Sequence, residues 1–131
     1  MSVSGHGFPR DRRLTKASEF QNVFAQATKS SDAYFTVLAR GNALDGPRLG
    51  LALSKRHLKR AVDRNRIKRL TREAFRRMQH DLGGLDFVVM AKTAVIQANN
   101  ETLQRSLRHH WSRLLKQCEP SWLPSSSSTA T

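Results

Sequence analysis

The sequence predicts an α+β sandwich, one sheet covered by helices, with elements in the order αββαβα. Three observations predict it: apolar residues recur at helical spacing in three segments, three short runs are rich in β-branched and aromatic residues, and Gly, Pro and Asn punctuate the intervals. The 131 residues suffice for one domain with a modest core.

The first helix begins after Thr15, a residue type suited to an N-cap, and Phe20, Val23, Phe24 and Ala27 then fall at i, i+3, i+4 and i+7. Residues 29–32 form a polar break. Residues 34–40, YFTVLAR, have the composition of a strand; 41–47 carry turn residues; 48–54, RLGLALS, are a second run of strand length. Together they predict a hairpin with a long loop. Ile67, Leu70, Ala74 and Met78 then recur at helical spacing with no Pro or Gly between them, and this second helix ends before Gly83 and Gly84. Residues 86–92, DFVVMAK, form a third strand, apolar enough to be buried. Asn99 and Asn100 offer a cap for a third helix, whose Leu103, Leu107, Trp111 and Leu114 trace one face until Pro120 stops the pattern. Low apolar content rich in Gly and Ser predicts disorder over 1–9 and 119–131, which leaves 10–118 as a single folded domain.

Lys and Arg number 23 against 10 Asp and Glu, a net charge of +13. Self-repulsion of that size is kept where a polyanion neutralises it, which points to nucleic acid. No apolar run is long enough to span a bilayer, no lipidation signal stands at either end, and the first residues lack the apolar core of a signal peptide, so the expectation is a cytoplasmic protein with no membrane partner. Cys118 is the only cysteine, which excludes an internal disulfide and a zinc site of the finger or ribbon type. Of His6, His57, His80, His109 and His110, only the last two are close, and adjacent helix positions point about 100° apart. The histidines therefore read as surface or stacking groups, and no metal or cofactor bound by the protein itself is expected.

Residues 55–77 hold 11 of the 23 basic residues against only Asp63 and Glu73. At about 100° per residue, Asn65, Lys68, Arg69, Arg72 and Arg76 share one arc of the helix, while Ile67, Leu70, Ala74 and Met78 occupy another. Like charges such as Lys68 with Arg72 repel by a few tenths of a kcal/mol (~0.2–0.5) at i, i+4, and a merely solvated helix would intersperse carboxylates. The bare cationic face is read as a phosphate-binding surface, for which the planar fork of arginine is suited. Phe20 and Phe24, one turn apart, read from spacing alone as core; the alternative is a surface on which unpaired bases stack. Tyr34 and Phe35 open the first strand, and alternation allows only one of them on a given face.

At this point the residues resemble a known family. The run KRAVDRNRIKRLTREAF over 59–75, centred on Arg64, Asn65 and Arg66, is similar to the signature segment of bacterial ribonuclease P protein subunits. RLTKASEFQNVF resembles the family's first helix, RLGLALSK its second strand and DFVVMAK its third, so the likeness extends over roughly residues 13–115 in order. The resemblance implies the accessory subunit of a ribonucleoprotein endoribonuclease that removes the 5′ leader of precursor tRNA, the chemistry being carried by an RNA subunit with Mg2+ at its active site and none of it by residues of this chain. It implies one protein per RNA. Carried over by position, Lys55, Arg56, Lys59, Arg60, Arg64, Asn65, Arg66, Lys68, Arg69 and Arg72 would bind the catalytic RNA. Phe20, Phe24, Tyr34 and Phe35 would bind the leader, the first two ahead of the others because some family members carry an aromatic further along the first strand, where this chain has Leu38. The fold implied is a two-layer sandwich with a mixed sheet and a left-handed crossover, like the ribosomal protein S5 domain 2 type fold, a handedness that the general rule would reject.

Rival functions share parts of this pattern. A self-contained nuclease needs clustered carboxylates or a cooperating His pair, and Asp11, Asp32, Asp45, Asp63, Asp81 and Asp86 are scattered along the chain. A ribosomal or other structured-RNA-binding protein would share charge, size and architecture, and only the signature segment separates it.

Overall fold

The computed structural model describes residues 13–14, 16–25, 27–42 and 46–117. The arm 1–9, Thr15, Cys118 and the tail 119–131, with the expectations attached to them, lie outside those residues. In chain order the elements are α1 (Ala17–Ala25), β1 (Thr28–Ser31), β2 (Phe35–Gly41), β3 (Arg48–Leu51), α2 (Ala61–Met78), β4 (Leu85–Ala91) and α3 (Asn100–Gln117), with 3-10 turns at Gln79–Asp81 and Thr93–Gln97. The α+β class and the mixed sheet stand, and one strand is added to the predicted order.

That strand is β1, which sequence reading took for a polar break. TKSS has no apolar residue to reveal alternation, yet it pairs antiparallel with β2 from Thr28↔Ala39 to Ser31↔Thr36. It can be polar because it is an edge strand: Lys29 and Ser31 are exposed, and Ser30 alone turns into the core. Asp32 closes the hairpin to β2, its Oδ1 accepting from the backbone N–H of Tyr34 at 2.8 Å and of Phe35 at 2.9 Å.

The sheet runs β1-β2-β4-β3, and this overturns the hairpin predicted between residues 34–40 and 48–54. Those segments, β2 and β3, do not touch as neighbours. β4 lies between them, antiparallel to β2 (Val37↔Val89, Ala39↔Phe87) and parallel to β3 (Leu49↔Phe87, Leu51↔Val89). Hydrophobicity explains the choice, because every residue of β4 except Met90 is buried, and a strand buried on both faces belongs in the middle of a sheet. The parallel pair requires a crossover, and α2 supplies it.

Strand alternation divides the core. Phe35, Val37, Ala39, Leu49, Phe87 and Val89 face α2 and α3 in a cluster with Ile67, Leu70, Phe75, Leu103, Leu107, Trp111 and Leu114. The predicted apolar stripe of α3 is thus wholly buried, and Asn99 caps the helix by accepting from the Thr102 N–H at 2.8 Å. Phe75, Phe87 and Trp111 meet edge to face at centroid distances of 5.1 to 6.3 Å, each pair contributing about 0.5–1.5 kcal/mol beyond its buried area. On the opposite face of the sheet a smaller cluster, Leu14, Val23, Leu38 and Val88, seats α1. Helices therefore cover both faces.

Candidate nucleic-acid interface

The N-terminal segment is pinned before α1 begins. Arg13 forms a parallel bridge with Leu49, and the Leu14 N–H donates to the Leu49 carbonyl at 2.9 Å, which lays this segment along the free edge of β3. Glu19 then accepts from the Lys16 N–H at 3.0 Å and starts α1. Its other oxygen takes Arg48 Nη1 at 2.9 Å, while the Arg48 fork grips both oxygens of Asp86 at 2.8 Å. Arg48 thus ties α1, β3 and β4 together, and hydrogen bonding to Asp86 raises its pKa further above the ordinary arginine value. At the C-terminal end of α1, Arg40 Nη1 donates to the Asn22 carbonyl at 2.8 Å.

Between α1, the β3 edge and α2 lies a groove of about 250 Å³, lined by Arg13, Leu14, Phe20, Leu49, Leu51, Lys68 and Arg72. Its floor is apolar, its rim is cationic, and Phe20 supplies an aromatic ring. Lys68 and Arg72 have no carboxylate partner among the described residues. Partial burial, and after it the like charge of Arg13, push the Arg72 pKa below its ordinary value. Cations crowded beside an apolar floor and a ring are matched by an anion that also carries a flat apolar surface. A nucleotide has both parts, a phosphate for the rim and a base for the ring. The groove therefore joins Phe20 to Lys68 and Arg72, residues that sequence reading had placed on two separate surfaces.

Other expected site residues are not brought here. Phe35 is fully buried in the larger core on the far face of the sheet, so its assignment to the leader surface is withdrawn; strand alternation sends residue 35 to the α2–α3 face and residues 36, 38 and 40 to the α1 face. Tyr34 packs against that same core from the Asp32 turn. Phe24 is 49 % exposed one turn beyond Phe20, which excludes it from the core and leaves its ring open to solvent.

Helix α2 divides its basic residues between two tasks. Arg66 donates from Nε to Asn100 Oδ1 at 2.9 Å, from Nη1 to the Val95 carbonyl at 3.1 Å and from Nη2 to the Ala98 carbonyl at 2.5 Å. Each guanidinium nitrogen thus donates to residues 95–100, which gives Arg66 a positioning role that the sequence did not reveal. Lys68 stands two positions further along, which is about 200° of helix rotation. Arg64 caps the entry to α2, its Nη1 donating to the carbonyls of Leu58 at 2.7 Å and Lys59 at 3.0 Å. Lys55, Arg56, Lys59, Arg60, Asn65 and Arg69 are exposed along the approach to α2 and its outer face.

Two features had little signal in the sequence. Arg13 enters the groove only because the chain pairs with the β3 edge. The second feature is an array of buried Ser30 and His110 with partly exposed Asp32. Ser30 Oγ lies 2.7 Å from His110 Nδ1, His110 Nε2 lies 3.2 Å from Asp32 Oδ2, and the Ser106 hydroxyl donates to the same carboxylate oxygen at 2.5 Å. The residue types are those of a nucleophile, base and orienting acid. With Ser30 only 1 % exposed and His110 completely buried, no substrate reaches them, and the array serves as a tie between the β1 edge and α3. The expectation of surface or stacking histidines thus fails for His110. Burial pushes its pKa down, against the pull of Asp32, and the ring is neutral near pH 7. Burial alone would raise the pKa of Asp32, but hydrogen bonds from Ser106 and from the Phe35 and Tyr34 N–H groups, with His110 nearby, hold it at about 2.

Residues 8–115 match the family model described as Ribonuclease P. The chain is 52 % identical over 120 residues to the ribonuclease P protein component of Methylococcus capsulatus, an alignment covering 92 % of this chain and 94 % of the relative. It is 47 % identical over 115 residues to that of Nitrosococcus oceani, covering 88 % and 97 %. Among solved structures, the RNase P protein of Staphylococcus aureus superposes with a TM-score of 0.71 at 31 % identity, covering 80 % of this chain and 93 % of that one. The RNase P protein of Thermotoga maritima gives 0.70 at 29 % identity, covering 77 % and 96 %.

Proposed function

The chain belongs to the ribonuclease P protein family, and from that premise we propose that its groove holds the 5′ leader of precursor tRNA while the outer face of α2 binds the catalytic RNA. Membership makes it a subunit of a ribonucleoprotein endoribonuclease of tRNA 5′-end processing, with the ribonuclease P RNA as its partner. It also sets aside the ribosomal-protein alternative. Among the described residues no helix is long and apolar enough to cross a membrane.

One observation carries the proposal: a single groove brings Phe20 together with Lys68, Arg72 and Arg13. Single-stranded RNA is held by stacking on aromatic rings and by cations along its backbone, and base stacking is worth about 1–3 kcal/mol per base. Phe20 takes a leader base, the exposed Phe24 extends the stacking surface by one helical turn, and Lys68 and Arg72 take the adjoining phosphates. Lys55, Arg56, Lys59, Arg60, Asn65 and Arg69 lie on the side offered to the catalytic RNA, with Arg64 shaping the turn that presents them. Arg66 positions α2 against the segment that leads into α3. In this scheme residues 10–118 act as one RNA-binding domain, one protein serves one RNA, and magnesium held by the RNA supplies the hydrolytic chemistry. The chain contributes charge neutralisation and a seat for the leader.

The experiment is cleavage of a precursor tRNA at low magnesium by the catalytic RNA alone, the protein alone and both together, for wild type and Phe20→Ala. Cleavage at the mature 5′ end only with both present, together with weaker binding of precursor but not of mature tRNA by the variant, is the expected result. Cleavage by the protein alone, or equal losses for the two tRNAs, would contradict the proposal.

A further inference from the structure

Helix α3 carries a cationic face that the functions above leave unused. Leu103, Leu107, Trp111 and Leu114 form its buried side. On the opposite side Arg105, Arg108, His109, Ser112, Arg113 and Lys116 are all exposed. At about 100° per residue these six positions fall within roughly 140° of arc, centred opposite the core.

The face is poor in compensating charge. Glu101 is the one carboxylate of the helix; it is 81 % exposed and lies 3.5 Å from Arg105. Arg108, Arg113 and Lys116 have no carboxylate within ion-pair distance among the described residues. Folding does not require this arrangement, since the buried stripe anchors the helix, and like charges three or four residues apart cost about 0.2–0.5 kcal/mol each. The positive potential extends inward as well: after burial, His109 and Arg113 are among the groups that disfavour the proton on His110.

The face is also separate from the groove. α3 meets α2 near its first turns, where Asn100 and Gln104 accept from Arg66 and Arg77, and it reaches β1 through His110 and the turn after β1 through Ser106. The groove flanks β3, at the other edge of the sheet. From Arg105 to Lys116 the cations extend over about 16 Å. Trp111 is the only aromatic ring other than histidine in the helix and it is fully buried, so the face offers regularly spaced charge with no indole or phenyl platform for unpaired bases.

We propose that the outer face of α3 is a second RNA-binding surface, which takes the phosphate backbone of a double-helical segment of the ribonuclease P RNA at a place distinct from the one bound by α2. Charge complementarity names the occupant: the established partner is a polyanion, and A-form duplexes are recognised mainly through shape and backbone. The inference rests on the family reading for the existence of that partner. With both surfaces engaged, the protein bridges two parts of the RNA.

The test uses the full chain with Arg108, Arg113 and Lys116 replaced together by Ala, titrated with the cognate ribonuclease P RNA across a series of salt concentrations. Each phosphate contact contributes about 0.9 to the slope of log affinity against log salt, so the expected result is a slope shallower by two to three. Arg108→Lys with Arg113→Lys keeps the charge and retains the wild-type slope, and an unchanged melting temperature in either variant shows that the fold is intact. An unchanged slope in a folded triple variant overturns the inference. So does a loss seen with precursor tRNA and absent with the ribonuclease P RNA, which would make the occupant tRNA. Failure of the wild-type chain to bind that RNA at all would overturn both this inference and the function from which it starts.

Discussion

The ring of Phe20 rests on the backbone of Gly50: its Cε1 and Cζ lie 2.7 and 2.8 Å from the position a β-carbon would occupy at residue 50, and Leu14 Cβ lies 3.0 Å from it. No residue with a side chain fits there while the ring keeps its place, so a glycine in β3 sets the depth at which the aromatic group sits in the groove. Gly50→Ala is expected to displace the ring tip, destabilising the fold by about 1–3 kcal/mol as overpacking does. It should also reproduce the selective loss of precursor tRNA affinity predicted for Phe20→Ala. Parallel titrations with precursor and mature tRNA check this, and a Gly50→Ala protein that binds both as wild type does would show that the ring's depth is immaterial.

Arg66 and the pair Lys68 and Arg72 should respond to substitution in opposite ways, although all three lie in the same basic run. Lys68→Ala with Arg72→Ala should leave stability nearly unchanged and reduce the salt slope of RNA binding by about 1.5–2. Arg66→Ala removes three donors from the 93–100 segment and should cost about 1–3 kcal/mol in urea denaturation, with the slope unchanged in the fraction that remains folded. The reverse pattern would assign phosphate binding to Arg66.

Arg48→Ala strips the partner from Asp86, which is only 7 % exposed. A partly buried carboxylate left without its cation is costly, and a loss of about 3–5 kcal/mol is expected from denaturant unfolding. Asn42 Nδ2, 2.9 Å from the same carboxylate, offsets part of that loss. A cost below about 1 kcal/mol would place the pair with ordinary surface ion pairs.

Acidification should weaken the fold in two stages. The pKa of His110 is held below its ordinary 6.5 in the folded chain, so below about that pH the unfolded chain takes up a proton that the folded one refuses. Stability present at neutral pH is therefore lost as pH falls from 6.5 toward the folded value. Asp32 behaves in the same sense lower down: its stabilisation is complete above the ordinary 3.8 and disappears as pH falls toward about 2. Urea midpoints measured between pH 7.5 and 5 should decline in the wild type and flatten in His110→Gln, and equal slopes in the two proteins would remove His110 from the account.

What the sequence determined by itself was whatever repeats over a few residues. The helical recurrence of Leu103, Leu107, Trp111 and Leu114, the crowding of Arg and Lys over 55–77, and the apolar run of β4 are local patterns, and each has its predicted place in the fold. The signature around Arg64, Asn65 and Arg66 likewise led to the family. Tertiary structure decided what depends on residues far apart in the chain. β4 separates β2 from β3 because pairing across some forty residues is chosen by burial on both faces, which no turn signal reports. β1 was invisible because an edge strand needs no apolar alternation, and its one inward residue, Ser30, is satisfied by His110 eighty positions away. A one-residue step in strand phase sends Phe35 into the larger core, and a two-residue step along α2 turns Arg66 toward the 93–100 segment and Lys68 toward the groove. Composition counts such residues as equivalents; their roles diverge because side-chain direction, set by backbone geometry, decides what each one meets.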